Sequence, residues 1–207
     1  MRVKVQLVIC ADDEGMDTIH EVAVLEKDCH RIEQLGLTLA EAKQLLSQLQ
    51  QHVVAHQAGV FVTTRSHCQA CGAPLQRKEE TTRGLRTLFG TVRLPSPRLY
   101  HCRCQTHTVT TFRPLTELLS ASTTPELLFL ETKWASLISY GLTARVLKDF
   151  LPLDETLNAT TIQNHTLAVA QRCDEELGEE PVVFADGSPR DGDQLPRPEG
   201  PLTVHSH

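Results

Sequence analysis

Two close cysteine pairs, Cys68-x-x-Cys71 and Cys102-x-Cys104, constrain this chain more than any other feature. Each short spacing lets two sulfurs on one turn point the same way, and the two pairs together can surround one tetrahedral ion. Gly72, directly after the first pair, suits such a turn. Between the pairs, "LRTLFGTVRLPSPRLYHC" carries Leu88, Val92, Leu94, Leu99 and Tyr100, with Gly90 and a "PSP" break, and predicts two strands. Two knuckles bridged by strands make a zinc ribbon. So short a segment has little core of its own, and the ion supplies most of its folding free energy. His67, His101 and His107 are near enough in sequence to replace a cysteine. Reduced thiols scattered through a core are the alternative, and they would not fall into two pairs framing one strand-rich segment. Four protein ligands leave no coordination position open, so the ribbon is expected to be an interaction module and not a catalyst.

The charge pattern says what such a module would meet. The 207 residues carry a net charge of -6, yet from Arg65 to Arg113 nine Arg or Lys stand against only Glu79 and Glu80, leaving -13 on the rest of the chain. A basic block in an acidic chain implies a local anionic partner. Arg83, Arg86, Arg93, Arg98 and Arg103 fall on or beside the predicted strands, where they can meet phosphates, or else form a solvated surface. With 40% hydrophobic but only 4% aromatic residues, small modules in series are expected in place of one large core. No targeting signal or membrane-length apolar run is visible, so a cytoplasmic protein with no membrane partner is expected. In a reducing compartment, seven cysteines are better explained by thiols or metal than by disulfides.

The first module, residues 1–60, opens with "RVKVQLVIC", where Val3, Val5, Leu7 and Ile9 alternate with polar residues. "HEVAVLEK" is a second strand candidate, with "ADDEGMD" as the loop of a hairpin. Thr38 followed by Glu41 is a capping box opening a helix, with apolar Leu39, Ala42, Leu45, Leu46, Leu49 and Val53; Gly59 is expected to end it. The helix is expected to pack on its own hairpin, and Cys10 and Cys29 to be packing residues. The basic zinc-ribbon module follows at 61–115.

Residues 123–178 predict three helices. The first starts at Thr124-Pro125, places Leu127, Leu130, Trp134 and Leu137 on one face and stops at Gly141. Thr143 starts the second, with Val146, Leu147 and Phe150 inward, and Pro152 closes it. Asn158 or Thr160 caps the third, with Ile162, Val169, Cys173 and Leu177 as its buried stripe. The arrangement is either an ordinary bundle or a helix-turn-helix, in which Thr161, Gln163, Asn164 and His165 would read base edges.

The succession "LTLAEAKQLL", "CQACGAP", "RTLFGTVRLPSPRLYHCRC", "TTPELLFLETKWASLISYGLT", "LKDFLPLDETLNATTIQNHTLAVAQRC" and "EELGEE" resembles the N-terminal half of transposases of the Kra-type insertion-sequence family, from Met1 to about Asp186. That family is similar to other DDE transposases, whose RNase H-like domain uses three carboxylates to hold two divalent metals, Mg2+ in full-length members. The resemblance places the first carboxylate at Asp186, ending an apolar strand Val182–Ala185. The sequence then departs from the family with "SPRDGDQLPRPEGPLTVHSH", a disorder-prone composition in which Asp191 and Asp193 are no replacement ligands.

Residues 181–207 are therefore expected to be a strand remnant and a disordered tail. The fold expected overall is α+β and multi-module. The function implied is recognition of double-stranded DNA at transposon ends by a truncated transposase, inactive alone because Asp186 is one carboxylate without its partners. Two other readings stay open at this level: an active transposase once a separately encoded or frameshift-joined catalytic domain completes it, and a zinc-stabilised regulator of transposition. A second copy of the chain or an intact transposase would be the protein partner.

Overall fold

The computed structural model describes residues 1–10, 16–28, 30–104 and 110–177. The expectations for Cys29, His107, Asp186, Asp191, Asp193, the 182–185 strand and the tail lie outside them. Two units divide the chain, Met1–Leu167 and Ala168–His207. Among the described residues no helix is long and apolar enough to cross a membrane.

The alternating N-terminus forms the expected hairpin. Strands β1 (Arg2–Ile9) and β2 (Thr18–Glu26) run antiparallel from Arg2 opposite Glu26 to Ile9 opposite Thr18, with a bulge between Val5 and Gln6. The Lys27 N–H donates to the Met1 carbonyl at 2.8 Å and clamps the open end. Helix α1 (Leu39–Arg65) begins with the predicted capping box, the Glu41 N–H donating to Thr38 Oγ1 and the Thr38 N–H to the Glu41 carboxylate. Lys27 pairs with the same carboxylate and ties hairpin to helix. Together with the Thr38 donors, this ammonium holds the Glu41 carboxyl at about 2, below its ordinary 4.5.

Gly59 does not end α1. The helix continues to Arg65, because an interior glycine costs only about 1 kcal/mol and Val54, Ala55, Ala58, Phe61 and Val62 around it are buried or half-buried in the main core. The N-terminal part of the helix meets the first hairpin, where His20 stacks on His52 at 4.6 Å. The C-terminal part belongs to the next sheet. An expected boundary at 60/61 thus falls inside one helix.

That sheet is a long hairpin, β3 (Arg77–Thr87) and β4 (Gly90–Tyr100), with a short β5 (Thr111–Phe112) added beside the end of β4. Leu88 and Phe89 make the turn, which needs Gly90 at φ +107 and is braced by Thr87 Oγ1 donating to the Gly90 carbonyl at 2.8 Å. "PSP" does not break the second strand. Arg86 sends its N–H to Ser122 and its carbonyl to Thr124, away from β4, so its pairing with Thr91 exchanges no ladder bonds. Two-residue periodicity puts Pro95 and Pro97 in the same class, opposite Thr82 and Glu80, and neither removes a bond to β3. Leu85, Val92 and Leu94 face Ala58 of α1 and Leu115 of α2 (Pro114–Leu118) in the main core.

Helices α3 (Pro125–Ala135), α4 (Tyr140–Phe150) and α5 (Ala159–Leu177) follow. Ser139, not Thr143, caps α4, so Gly141 lies in its first turn. The core face of α4 runs through Tyr140, Ala144, Leu147 and Leu151, with Thr143 also buried, Val146 half-buried and Phe150 65% exposed. Trp134 and Leu137 are likewise exposed, leaving Leu127 and Leu130 as the covered part of the predicted α3 face. Asn158 caps α5, its Oδ1 accepting from the Thr161 N–H at 2.9 Å. Ile162 closes a second core with Ala144, Leu147 and Leu157. Of the predicted α5 stripe, only Ile162 is buried; Val169 is half-buried, and Cys173 and Leu177 are exposed, because an apolar period does not by itself provide a surface to pack on.

Candidate metal centre

The knuckles stand at the open end of the β3–β4 hairpin, one entering it from α1 and one leaving β4. The hairpin returns the chain on itself, which is why cysteines more than thirty positions apart in sequence meet. In the first knuckle the Gly72 N–H donates to the Cys68 carbonyl and the Cys68 N–H to the Ala73 carbonyl, both at 2.8 Å. Gly72 takes φ +73, the left-handed conformation that lets the chain double back. The Leu75 N–H donates to the Ser66 carbonyl at 2.8 Å and closes the loop outside it.

The Sγ atoms of Cys68, Cys71, Cys102 and Cys104 all lie within 4.8 Å of one another. Cys68 and Cys104 are 3.4 Å apart, and Cys71 and Cys102 are 3.5 Å apart. A tetrahedron with metal–sulfur bonds of about 2.3 Å has sulfurs about 3.8 Å apart, so these four can hold a metal ion such as zinc. The tighter Cys-x-Cys turn delivers its two sulfurs as well as the Cys-x-x-Cys does. Neither His67 nor His101 belongs to the group; the His101 ring stacks on Phe112 at 4.6 Å.

The electrostatics show what the cluster lacks without a cation. Backbone N–H groups of Cys71 and Ala70, with the Cys104 thiol, bring Cys68 down to about 6. The Ala73 N–H pulls Cys71 down, but the sulfurs of Cys102 and Cys68 outweigh it and the net shift is upward. The sulfurs of Cys102, Cys68 and Cys71 push Cys104 far above the ordinary thiol range. One thiolate forms readily, and Cys71 and Cys104 resist a second negative charge beside it. A divalent cation removes that resistance.

The predicted DNA-contacting residues do not share one surface. Arg86 and Arg93, at neighbouring register positions opposite Thr91 and Gly84, lie on the sheet face away from Leu85, Val92 and Leu94. Arg103 is exposed in the second knuckle. Arg83 is on the inner face, where its guanidinium donates to the Leu119 carbonyl and to Thr116 Oγ1. Arg98 donates to Thr111 Oγ1 at 2.9 Å and pairs with Glu79. Arg113 joins the same Glu79 carboxylate at 2.7 Å and reaches Thr81, a network that charge counting did not anticipate. Arg65 pairs with Glu117 and Arg77 with Glu80. Much of the basic block is therefore neutralised within the fold.

On α5, Gln163 and Asn164 are exposed and Thr161 is half-buried. His165 turns inward instead, its Nδ1 against the carboxylate of Glu131, which is 0% exposed. Glu131 follows Leu127 by one helical turn, and a carboxylate on an apolar face was the available signal for this pair.

The chain matches no protein-family model and no curated protein.

Proposed function

We propose that this protein is a zinc-stabilised double-stranded-DNA-binding portion of an insertion-sequence transposase, of the Kra type that its sequence resembles, and that it recognises the element's ends. The observation that carries the reading is the convergence of four cysteine sulfurs at the open end of the basic hairpin. Zinc suits an all-thiolate tetrahedral shell, which is closed to substrate and so serves structure. The arginine pairings narrow the DNA-facing set. Arg86, Arg93 and Arg103 contact phosphates, while Thr161, Gln163 and Asn164 at the start of α5 read bases. Arg83, Arg98 and His165 hold neighbouring elements in place.

The test has two stages. Protein purified without added metal should contain one equivalent of zinc per chain by elemental analysis. Binding to element-end and to unrelated duplexes is then followed against salt, since each neutralised phosphate releases counterions. Arg93→Ala should weaken binding to both duplexes and reduce the salt slope by about one. Asn164→Ala should relax discrimination by about 1–3 kcal/mol. Zinc near zero in a folded chain defeats the metal assignment, and equal binding of both duplexes by the unaltered protein defeats the α5 assignment.

A further inference from the structure

We infer that the cysteine centre has two interchangeable closures: a zinc ion when reduced, and the disulfides Cys68–Cys104 and Cys71–Cys102 when a peroxide oxidises it and the ion departs. The inference rests on the zinc reading above. Its geometric basis is the pairing of exposures. Cys71 and Cys104 are exposed, whereas Cys102 is half-buried and Cys68 buried. Each of the two close sulfur pairs, at 3.4 and 3.5 Å, joins one exposed cysteine to one more sheltered cysteine across the two knuckles. An oxidant reaches the exposed member first, and its resolving partner is already beside it.

The chemistry balances within each pair. The exposed thiolate attacks one peroxide oxygen, the O–O bond breaks, and hydroxide leaves a sulfenic acid. The sheltered thiolate then attacks the sulfenyl sulfur, the S–O bond breaks, and a second hydroxide leaves with the disulfide formed. Two peroxides accept the four electrons of the centre, and zinc, its four ligands consumed, passes to water. Closing each knuckle on itself is disfavoured for the pair as a whole, because the Cys102-x-Cys104 ring is too small for an unstrained disulfide dihedral, whereas the cross-knuckle sulfurs already stand 3.4 and 3.5 Å apart. Both cross-knuckle bonds tie the strand leaving β4 to the loop entering β3. The oxidised centre therefore keeps the hairpin end shut, whereas chelation of the reduced centre opens it.

The experiment uses the full chain with Cys10→Ser, Cys29→Ser and Cys173→Ser, which removes the cysteines outside the centre. Zinc is measured first, then its release during hydrogen peroxide titration, then the disulfides by peptide mapping under non-reducing conditions. Thermal unfolding compares the oxidised protein with reduced protein treated with a chelator. The expected result is one zinc lost per two disulfides, cross-knuckle connectivity, a folded oxidised state more heat-resistant than the chelated one, and recovery of zinc binding on reduction with added zinc. Zinc bound at the outset but retained under peroxide, Cys68–Cys71 or Cys102–Cys104 bonds, or sulfinic acids as the main product would overturn the inference and leave the zinc reading standing. Absence of zinc before any oxidant is added would overturn the zinc reading and the exchange with it.

Discussion

The two ends of the β3–β4 hairpin are closed by different physics. At the turn, Thr87 and Gly90 are buried, Val92 and Leu94 follow directly in the main core, and the backbone of Arg86 is bonded to the segment leading into α3. At the open end β3 and β4 stay paired as far as Arg77 and Leu99, with Pro97 and Leu99 buried, and the chain on either side runs into two knuckles whose four sulfurs stand together. One end is held by burial, which is spread over many residues and degrades gradually. The other adds to its buried residues a single cluster of four sulfurs, and whatever a cation bound there contributes would be lost all at once.

The sharpest way to break the comparison is to deny the cysteine cluster its proposed metal. Chelation under reducing conditions, or Cys68→Ser, should abolish zinc binding and strip amide-exchange protection from Leu75–Glu79 and Ser96–Tyr100, while Leu85 and Val92 near the turn stay protected. Loss of protection at both ends together would show that one cooperative unit spans the hairpin. Leu94→Ala attacks the other closure. Leu94 is 0% exposed in the main core, and its truncation should cost about 2–5 kcal/mol in denaturant unfolding, with one zinc still bound per folded chain.

Gly90→Ala should have a smaller effect at the same end. Its φ of +107 disfavours a side chain, and an added Cβ would stand 3.1 Å from the Pro152 carbonyl oxygen. A loss of about 1–3 kcal/mol is expected, read from the same unfolding curves. The smallest effect belongs to the first hairpin. Because the folded Glu41 carboxyl is depressed from 4.5 to about 2, its contribution is fully present above pH 4.5 and disappears as the pH falls toward 2. Glu41→Gln should flatten that part of the stability profile, measured by thermal unfolding across pH 2–6, and leave the zinc centre untouched at neutral pH.

Local signals were legible where chemistry acts over short spans. The capping box at Thr38 and Glu41, the alternation in β1 and the cysteine spacings all predicted what formed. Signals failed where a tertiary surface decided the outcome. Gly59 looks like a helix stop until the core around Ala58 is seen to hold α1 together beyond it. Pro95 and Pro97 look like a strand break until the register shows that the missing donors face away from β3. Phe150 looks buried from its spacing to Val146 and Leu147, yet the face that finds a core runs through Tyr140, Ala144, Leu147 and Leu151. In the site, the four cysteines could be found from spacing alone. The charge count could not separate Arg93, exposed on the outer face, from Arg98 and Arg113, which share Glu79, because composition carries no information about pairing.

The two prolines of β4 also bear on how the molecule behaves at high concentration. A long, regular strand invites another chain to extend its sheet, and such additions are how β-rich proteins begin to polymerise. At the exposed Pro95 an incoming strand finds no N–H to accept from, and Pro97 is already buried within the fold, on the side of β4 where β5 pairs only at Leu99 and Tyr100. The residue that looks least suited to the strand thus blunts the part of its edge that another chain could reach.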